Sequence, residues 1–135
     1  MSIPSSIDVV RLAISAWNER DVEACLALFH PEAELDWSRS YGPLPGIFRG
    51  HAGLLLLSAE YWSMFADMLV VPDEFIAVGE QIVVPHRGHH RGRDGGELVA
   101  RSTYVYSVRG GRVVALRVYQ DLGEALDAAH LAVAR

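Results

Sequence analysis

The sequence predicts an α+β fold: a curved, mostly antiparallel sheet wrapped around N-terminal helices to leave a cone-shaped cavity. Three observations carry that expectation. Apolar residues recur at spacings of three and four through the first half of the chain, and from residue 69 the period drops to two. Helical segments therefore precede the strands, where a parallel βαβ sheet would alternate them. Arg109-Gly110-Gly111 then supplies a tight turn between two alternating runs.

Each element follows from local pattern. Ser5-Ser6 leads into Ile7, Val10, Ala13, Ile14 and Trp17, an amphipathic first helix ending near Arg20. Asp21 is the expected N-cap of a short second helix that buries Val22, Cys25, Leu26 and Phe29 and is stopped by His30-Pro31. Glu34 to Ser38 alternates as a first strand, and Tyr41 to Gly46 is a loop by composition. Gly50-His51 opens a third helix carrying Leu54, Leu57, Tyr61, Trp62 and Phe65, with His51 expected to serve geometry and not chemistry. Val70 to Val78, Gln81 to His86, Leu98 to Val108 and Arg112 to Tyr119 read as four further strands. Asp121-x-x-Glu124 is a capping box that opens a last helix, Ala125 to Val133.

Composition narrows the classes. The 135 residues are one domain's worth of chain, 1–135, and half of them are apolar, which excludes disordered, collagen-like and disulfide-scaffold proteins. Twelve Lys and Arg against seventeen Asp and Glu give a net charge of −5, so nucleic acid is not an expected partner. Cys25 is the only cysteine and implies a reducing cytoplasm. The N-terminus lacks the basic segment of a signal peptide, and no apolar run reaches the roughly 20 residues of a membrane span.

Alternation assigns faces. In the third long strand Leu98, Ala100, Ser102, Tyr104, Tyr106 and Val108 form the more apolar, aromatic set and are placed on the inner face. The opposite set is only half polar, as are Val113, Ala115, Arg117 and Tyr119 of the last strand. An outer face too apolar for water predicts a homodimer formed through Val99, Val105, Val113 and Tyr119.

Val9-Val10 through Ala16-Trp17-Asn18-Glu19-Arg20-Asp21, then Leu28-Phe29-His30-Pro31-Glu32-Ala33, resembles the opening of the nuclear transport factor 2-like, ketosteroid isomerase-like superfamily. Leu35-Asp36-Trp37-Ser38, Gly46-Ile47-Phe48-Arg49-Gly50 and Arg117-x-Tyr119-x-Asp121 are similar to its SnoaL-like branch. The resemblance implies a cystatin-like α+β barrel around a small-molecule pocket, with activities that include isomerases, epoxide hydrolases and polyketide cyclases. Fold alone does not choose among them. The isomerase pattern would place its helical tyrosine on Ala13, its oxyanion aspartate near Thr103 and its base on Trp37, with Asp36 one residue away. The epoxide hydrolase pattern would need acids where this chain has Thr103 and Val118. Neither set is intact.

Two candidate catalytic residues remain. Asp36 sits near the superfamily's usual carboxylate, beside Trp37 and Tyr41, although alternation from Leu35 and Trp37 turns it outward. His86 has the parity of Ile82 and Val84, which aims it at the cavity as a proton shuttle or a structural histidine. Trp37, Tyr41, Trp62, Phe65 and Tyr104 are the expected substrate-binding residues, and Trp17 is read as core. His86-x-x-His89-His90 has no carboxylate to complete a metal set, and Arg87, Arg91 and Arg93 read as a solvated hairpin tip. The expected function is cofactor-free acid–base chemistry, an isomerase, cyclase or hydrolase acting on a small apolar or polycyclic molecule. The alternative is a non-catalytic binding or dimerisation module of the same fold.

Overall fold

The computed structural model describes residues 5–40 and 44–134. Helix α1 (Ser6–Asn18) begins where the Ser5 hydroxyl accepts the Asp8 N–H at 3.1 Å, and it buries Val9, Val10, Ala13 and Ile14. Arg20 follows in the left-handed region at φ 54, which reverses the chain so that Asp21 caps α2 (Val22–Leu28) by accepting the Ala24 N–H. The Arg20 guanidinium donates to the carbonyls of Trp62, Phe65 and Ala66, binding this corner to the end of the third helix.

Strand β1 (Phe29–Asp36) starts five residues before the expected Glu34. His30-Pro31 does not merely stop α2; it lies inside the strand, where the register against the last strand shifts between Phe29 and Glu34. A proline is tolerated there because an irregular ladder does not need its missing N–H. After β2 (Ile47–Arg49), helix α3 (Gly50–Met64) begins at Gly50, φ +67, where a Cβ would stand 2.7 Å from the Pro31 carbonyl oxygen. His51 Nε2 bonds the Phe29 carbonyl at 2.8 Å, so its role is a tertiary tie between α3 and β1.

The 70–78 segment, expected as one strand, is two: β3 (Phe65–Pro72) and β4 (Ile76–Val78). The break is held by Asp73, whose N–H donates to the Pro85 carbonyl and whose carboxylate accepts from Arg87. Strand β5 (Gln81–Gly92) runs six residues past His86. Arg87 and Arg91 therefore belong to a strand, and the hairpin tip is confined to 93–96, where Gly92 N–H meets the Gly96 carbonyl at 2.8 Å. Strands β6 (Glu97–Arg109) and β7 (Arg112–Tyr119) pair through Gly110 and Gly111, both at positive φ, the geometry of a type I′ turn. Helix α4 (Leu122–Ala134) opens with Asp121 accepting the Glu124 N–H.

The sheet order is β2-β1-β7-β6-β5-β3, with β4 also on β5, and every pair is antiparallel except β1 with β7. This is the expected α+β cone, a curved open sheet with α1–α3 on its inner face. The main core lies between them, and a smaller one lies outside, where Ala125 and Ala129 of α4 cover Val83, Val105 and Tyr119. That helix corrects the account of the outer face: Val105 and Tyr119 are buried by their own chain. Val113 is corrected too. The β6–β7 register shifts between Ser107 and Val108, which turns Val113 into the main core. Of the four residues proposed for a dimer face only Val99, 56% exposed, stays open to solvent. No helix among the described residues is long and apolar enough to cross a membrane.

Candidate functional site

The inner face of β5 and β6 carries matched rungs, His86 opposite Ser102, Gly88 opposite Ala100, His90 opposite Leu98. Strand parity continues from Ile82 and Val84 to all three β5 residues, so the extra length of β5 brings a second histidine inward. Gly88 is small because the His90 ring lies over it; a Cβ there would be 2.8 Å from His90 Cε1. These rungs form one wall of a cavity of about 180 Å³. Trp17 of α1, Tyr61 of α3, Phe65 and Met68 of β3, and Trp37 after β1 close it, with Ser40 and Gln120 among its polar residues. A drier pocket of about 30 Å³ adjoins it, sharing Trp17, Trp37, Val70 and Tyr104 and reaching Cys25 and Leu116.

His86 is the most constrained polar group of the cavity. It is 4% exposed, and its ring stacks on Tyr104 with centroids 3.8 Å apart. Nδ1 lies 3.1 Å from the Val84 carbonyl, which can only accept, so the proton sits on Nδ1 and Nε2 carries the lone pair. Burial lowers its pKa to about 4; the Val84 carbonyl and Asp73 oppose that shift, and His90 adds to it. His90 is also lowered, chiefly by burial. Burial raises the phenols of Tyr104 and Tyr106, which therefore stay protonated donors, and takes the Cys25 thiol up to about 11. Tyr61 is raised by burial too, against hydrogen bonds from Trp37 and Ser40. At neutral pH the cavity offers a neutral imidazole and neutral phenols.

The structure brings His86, Trp37, Phe65 and Tyr104 together and separates the other candidates from them. Asp36 lines neither cavity; one carboxylate oxygen accepts from both the Ser38 N–H at 2.9 Å and the Ser38 hydroxyl, with Arg39 3.9 Å away. It fastens the turn after β1 and has the outward parity that alternation gives. Trp62 lines neither cavity either; it lies against Trp17 with centroids 5.3 Å apart and the rings tilted by 45°. Tyr41 lies outside the described residues. Trp17, read as core from the sequence, lines both cavities, and among the described residues its buried indole N–H has no partner. Tyr61, His90 and Gln120 also line the larger cavity. For His90 the parity signal was present and was hidden by placing the hairpin tip too early. Among the described residues no group of three His, Cys, Asp or Glu side chains comes together to hold a metal.

A family model described as the SnoaL-like domain matches residues 10–116. An NTF2-like protein of unknown function from Burkholderia pseudomallei has a similar structure, with a TM-score of 0.76 and 27% identity over 94% of this chain and 97% of its own. An NTF2-like protein from Burkholderia xenovorans is 25% identical, with a TM-score of 0.74, covering 96% of this chain and 98% of its own. TerC, co-crystallised with polyporic acid, has a TM-score of 0.76 and 21% identity, covering 92% of this chain and 97% of its own. No curated protein matches the sequence.

Proposed function

Because the chain belongs to the SnoaL-like family of the NTF2-like, ketosteroid isomerase-like superfamily, we propose that it binds a small, largely apolar molecule in the larger cavity. There it moves a proton on that molecule without a cofactor, with His86 as the base. One observation carries this reading: a buried histidine pinned through Nδ1 to Val84, its Nε2 left to serve a ligand in an aromatic cavity. A conjugate acid near 4 leaves the imidazole in its basic form at neutral pH. An Asp base of about 4.6 suffices for ketosteroid isomerisation, so a base this weak is within the working range. The protonated phenol of Tyr104, stacked on the same ring, is a donor for an oxygen on which charge develops. Asp36, held by Ser38 and Arg39, is assigned to the turn.

The test needs no known substrate. Deuterium exchange at the α-carbons of phenylacetone and β-tetralone in heavy water reports proton transfer directly, by NMR. Wild type should accelerate it, and His86→Gln should lose about 10²–10⁴ of the acceleration. Equal rates in wild type and His86→Gln end the assignment of the base. Thr103 and Val118, standing where related enzymes carry acids, favour the second reading, a binding module. Ligands that bind without any exchange would establish that one. The small-molecule complex of TerC supports binding under either reading.

We also propose a homodimer, on a smaller patch of the outer face than the sequence suggested. Leu69, His89 and Val99 form one rung, in which Leu69 and Val99 are 47% and 56% exposed. An acidic-flanked rung, Asp67–Arg91–Glu97, lies on one side and Arg87–Arg101 on the other. Asp67 is paired with Arg91 and both other arginines with Asp73 in the same chain, so a two-fold axis through the apolar rung would bring Glu97 toward two arginines that share one carboxylate. Sedimentation should give a dimer that Val99→Lys dissociates; a wild-type monomer at micromolar concentration would refute it.

A further inference from the structure

We infer that the cavity takes a compact, uncharged molecule built on one substituted ring, and that it holds a hydroxyl of that ring through His86 Nε2. The inference rests on the larger cavity being the binding site. It goes further by naming what fits there, and three independent observations lead to it.

Size comes first. An apolar cavity of roughly 150 Å³ accommodates benzene, and this one measures about 180 Å³ with some 30 Å³ adjoining it. That is room for one ring and its substituents, and too little for four fused rings. Charge comes second. Among the described residues no Asp, Glu, Lys or Arg lines the cavity, and both of its histidines are biased toward the neutral form by burial. An anion would find no counter-charge and a cation no carboxylate, so either would lose its hydration without compensation.

The polar groups supply the third observation. Among the described residues the Trp17 indole N–H and His90 Nδ1 are buried with no hydrogen-bond partner. The hydroxyls of Ser102 and Tyr104, and His86 Nε2, have no protein partner among the described residues either, although these three atoms are not sealed from solvent. Buried polar groups in folded proteins are rarely left unpaired, and several converging on one cavity mark a place where a ligand completes them. His86 Nε2 can only accept, which calls for a donor on the ligand; the Trp17 N–H can only donate, which calls for an acceptor. A hydroxylated ring with a second oxygen meets both. The rings of Trp37, Phe65 and Tyr104 give it aromatic faces to pack against.

Calorimetric titration at neutral pH with a series of small probes tests each clause. Para-cresol should bind, and para-methylanisole, similar in shape but without the donor, should bind roughly tenfold more weakly or worse. Para-toluate and tetramethylammonium should give no saturable heat, and oestradiol, a four-ring phenol, should not displace para-cresol. His86→Phe should bring the cresol-to-anisole ratio close to one; should that variant fail to fold, the wild-type series decides alone. Equal binding of cresol and anisole, tighter binding of toluate or tetramethylammonium than of cresol, displacement by oestradiol, or no cresol binding would each overturn the inference. Catalysed exchange of phenylacetone with no cresol binding would overturn it while leaving the proton-transfer reading intact. Cresol binding with no exchange would do the reverse.

Discussion

Asn18 supplies the sharpest test of how the cavity wall is held. Strand β3 is the outer edge of the sheet, paired on one side by β5 and open on the other. An open edge leaves backbone donors and acceptors without ladder partners. At Val70, 5% exposed and lining both cavities, Asn18 from the end of α1 takes the place of the missing strand. Its Nδ2 donates to the Val70 carbonyl at 2.9 Å, and its Oδ1 accepts the Val70 N–H at 2.8 Å. Asn18→Ala removes both bonds and leaves two buried backbone groups unpaired. Each such group costs about 1–3 kcal/mol, so a loss of about 2–4 kcal/mol is expected once some water access is allowed. That is a large part of the roughly 5–15 kcal/mol stability of a domain this size.

Asn18→Asp separates the two bonds. The carboxylate still accepts the Val70 N–H but sets a second oxygen against the Val70 carbonyl, so this variant should also be weak at neutral pH. Protonation restores a donor, which raises the folded-state pKa of the new carboxyl. Its stability relative to wild type should therefore improve as pH falls through that raised value. Urea titrations of the three proteins at neutral and mildly acidic pH give the numbers. An Asn18→Ala loss below about 0.5 kcal/mol, the scale of an ordinary surface change, would refute the edge-capping argument.

Three further outcomes are expected of the molecule. His86 is lowered to about 4 when folded, so between about 6.5 and 4 the unfolded chain binds the extra proton and stability falls with falling pH; at about 1.4 kcal/mol per unit the full loss is about 3 kcal/mol, and His86→Gln should flatten most of it in urea midpoints. Gly50→Ala and Gly110→Ala both place a side chain at positive φ, but only at Gly50 would the Cβ meet a backbone atom, 2.7 Å away, while Gly110 has nothing within 4 Å; thermal melts should show Gly50→Ala to be worse by about 1–3 kcal/mol. Arg20→Gly should be less damaging than Arg20→Ala by about 1 kcal/mol, since both lose the three bonds to the end of α3 and the start of β3 and only glycine relieves the left-handed backbone.

What the sequence disclosed and what it hid divide along physical lines. Periodicity placed every helix and the β6–β7 hairpin, because a buried face imposes its spacing on the chain without reference to distant residues. Strand ends were less visible. Pro31 reads as a stop because most prolines are, and only the irregular pairing with β7 lets β1 run through it. Val113 was assigned by counting from Arg117 and Tyr119, and one shifted register reverses the face of everything beyond it. The cap that α4 forms over Val105 is likewise a tertiary fact: an apolar outer face says that something covers it, not which part of which chain.

The candidate site follows the same division, and Asp36 and His86 show why one proposal gave way to the other. Both had a position that related enzymes use or a parity that faced inward, and neither had both. For Asp36, parity decided: Leu35 and Trp37 are buried in the core, and the carboxylate between them turns to Ser38 and Arg39. A carboxylate with that many local donors has no need of a ligand. For His86 the parity was right, and the length of β5 decided its value. With the strand running to Gly92, His86 is no longer at the end of a strand but in the middle of a wall, across from Ser102 and stacked on Tyr104. Burial at that depth keeps the imidazole neutral, and the Val84 carbonyl fixes which nitrogen holds the proton. In the proposed reading, this wall of neutral donors and acceptors would do the work that carboxylates do in the isomerase pattern, and it would select for molecules that are themselves neutral.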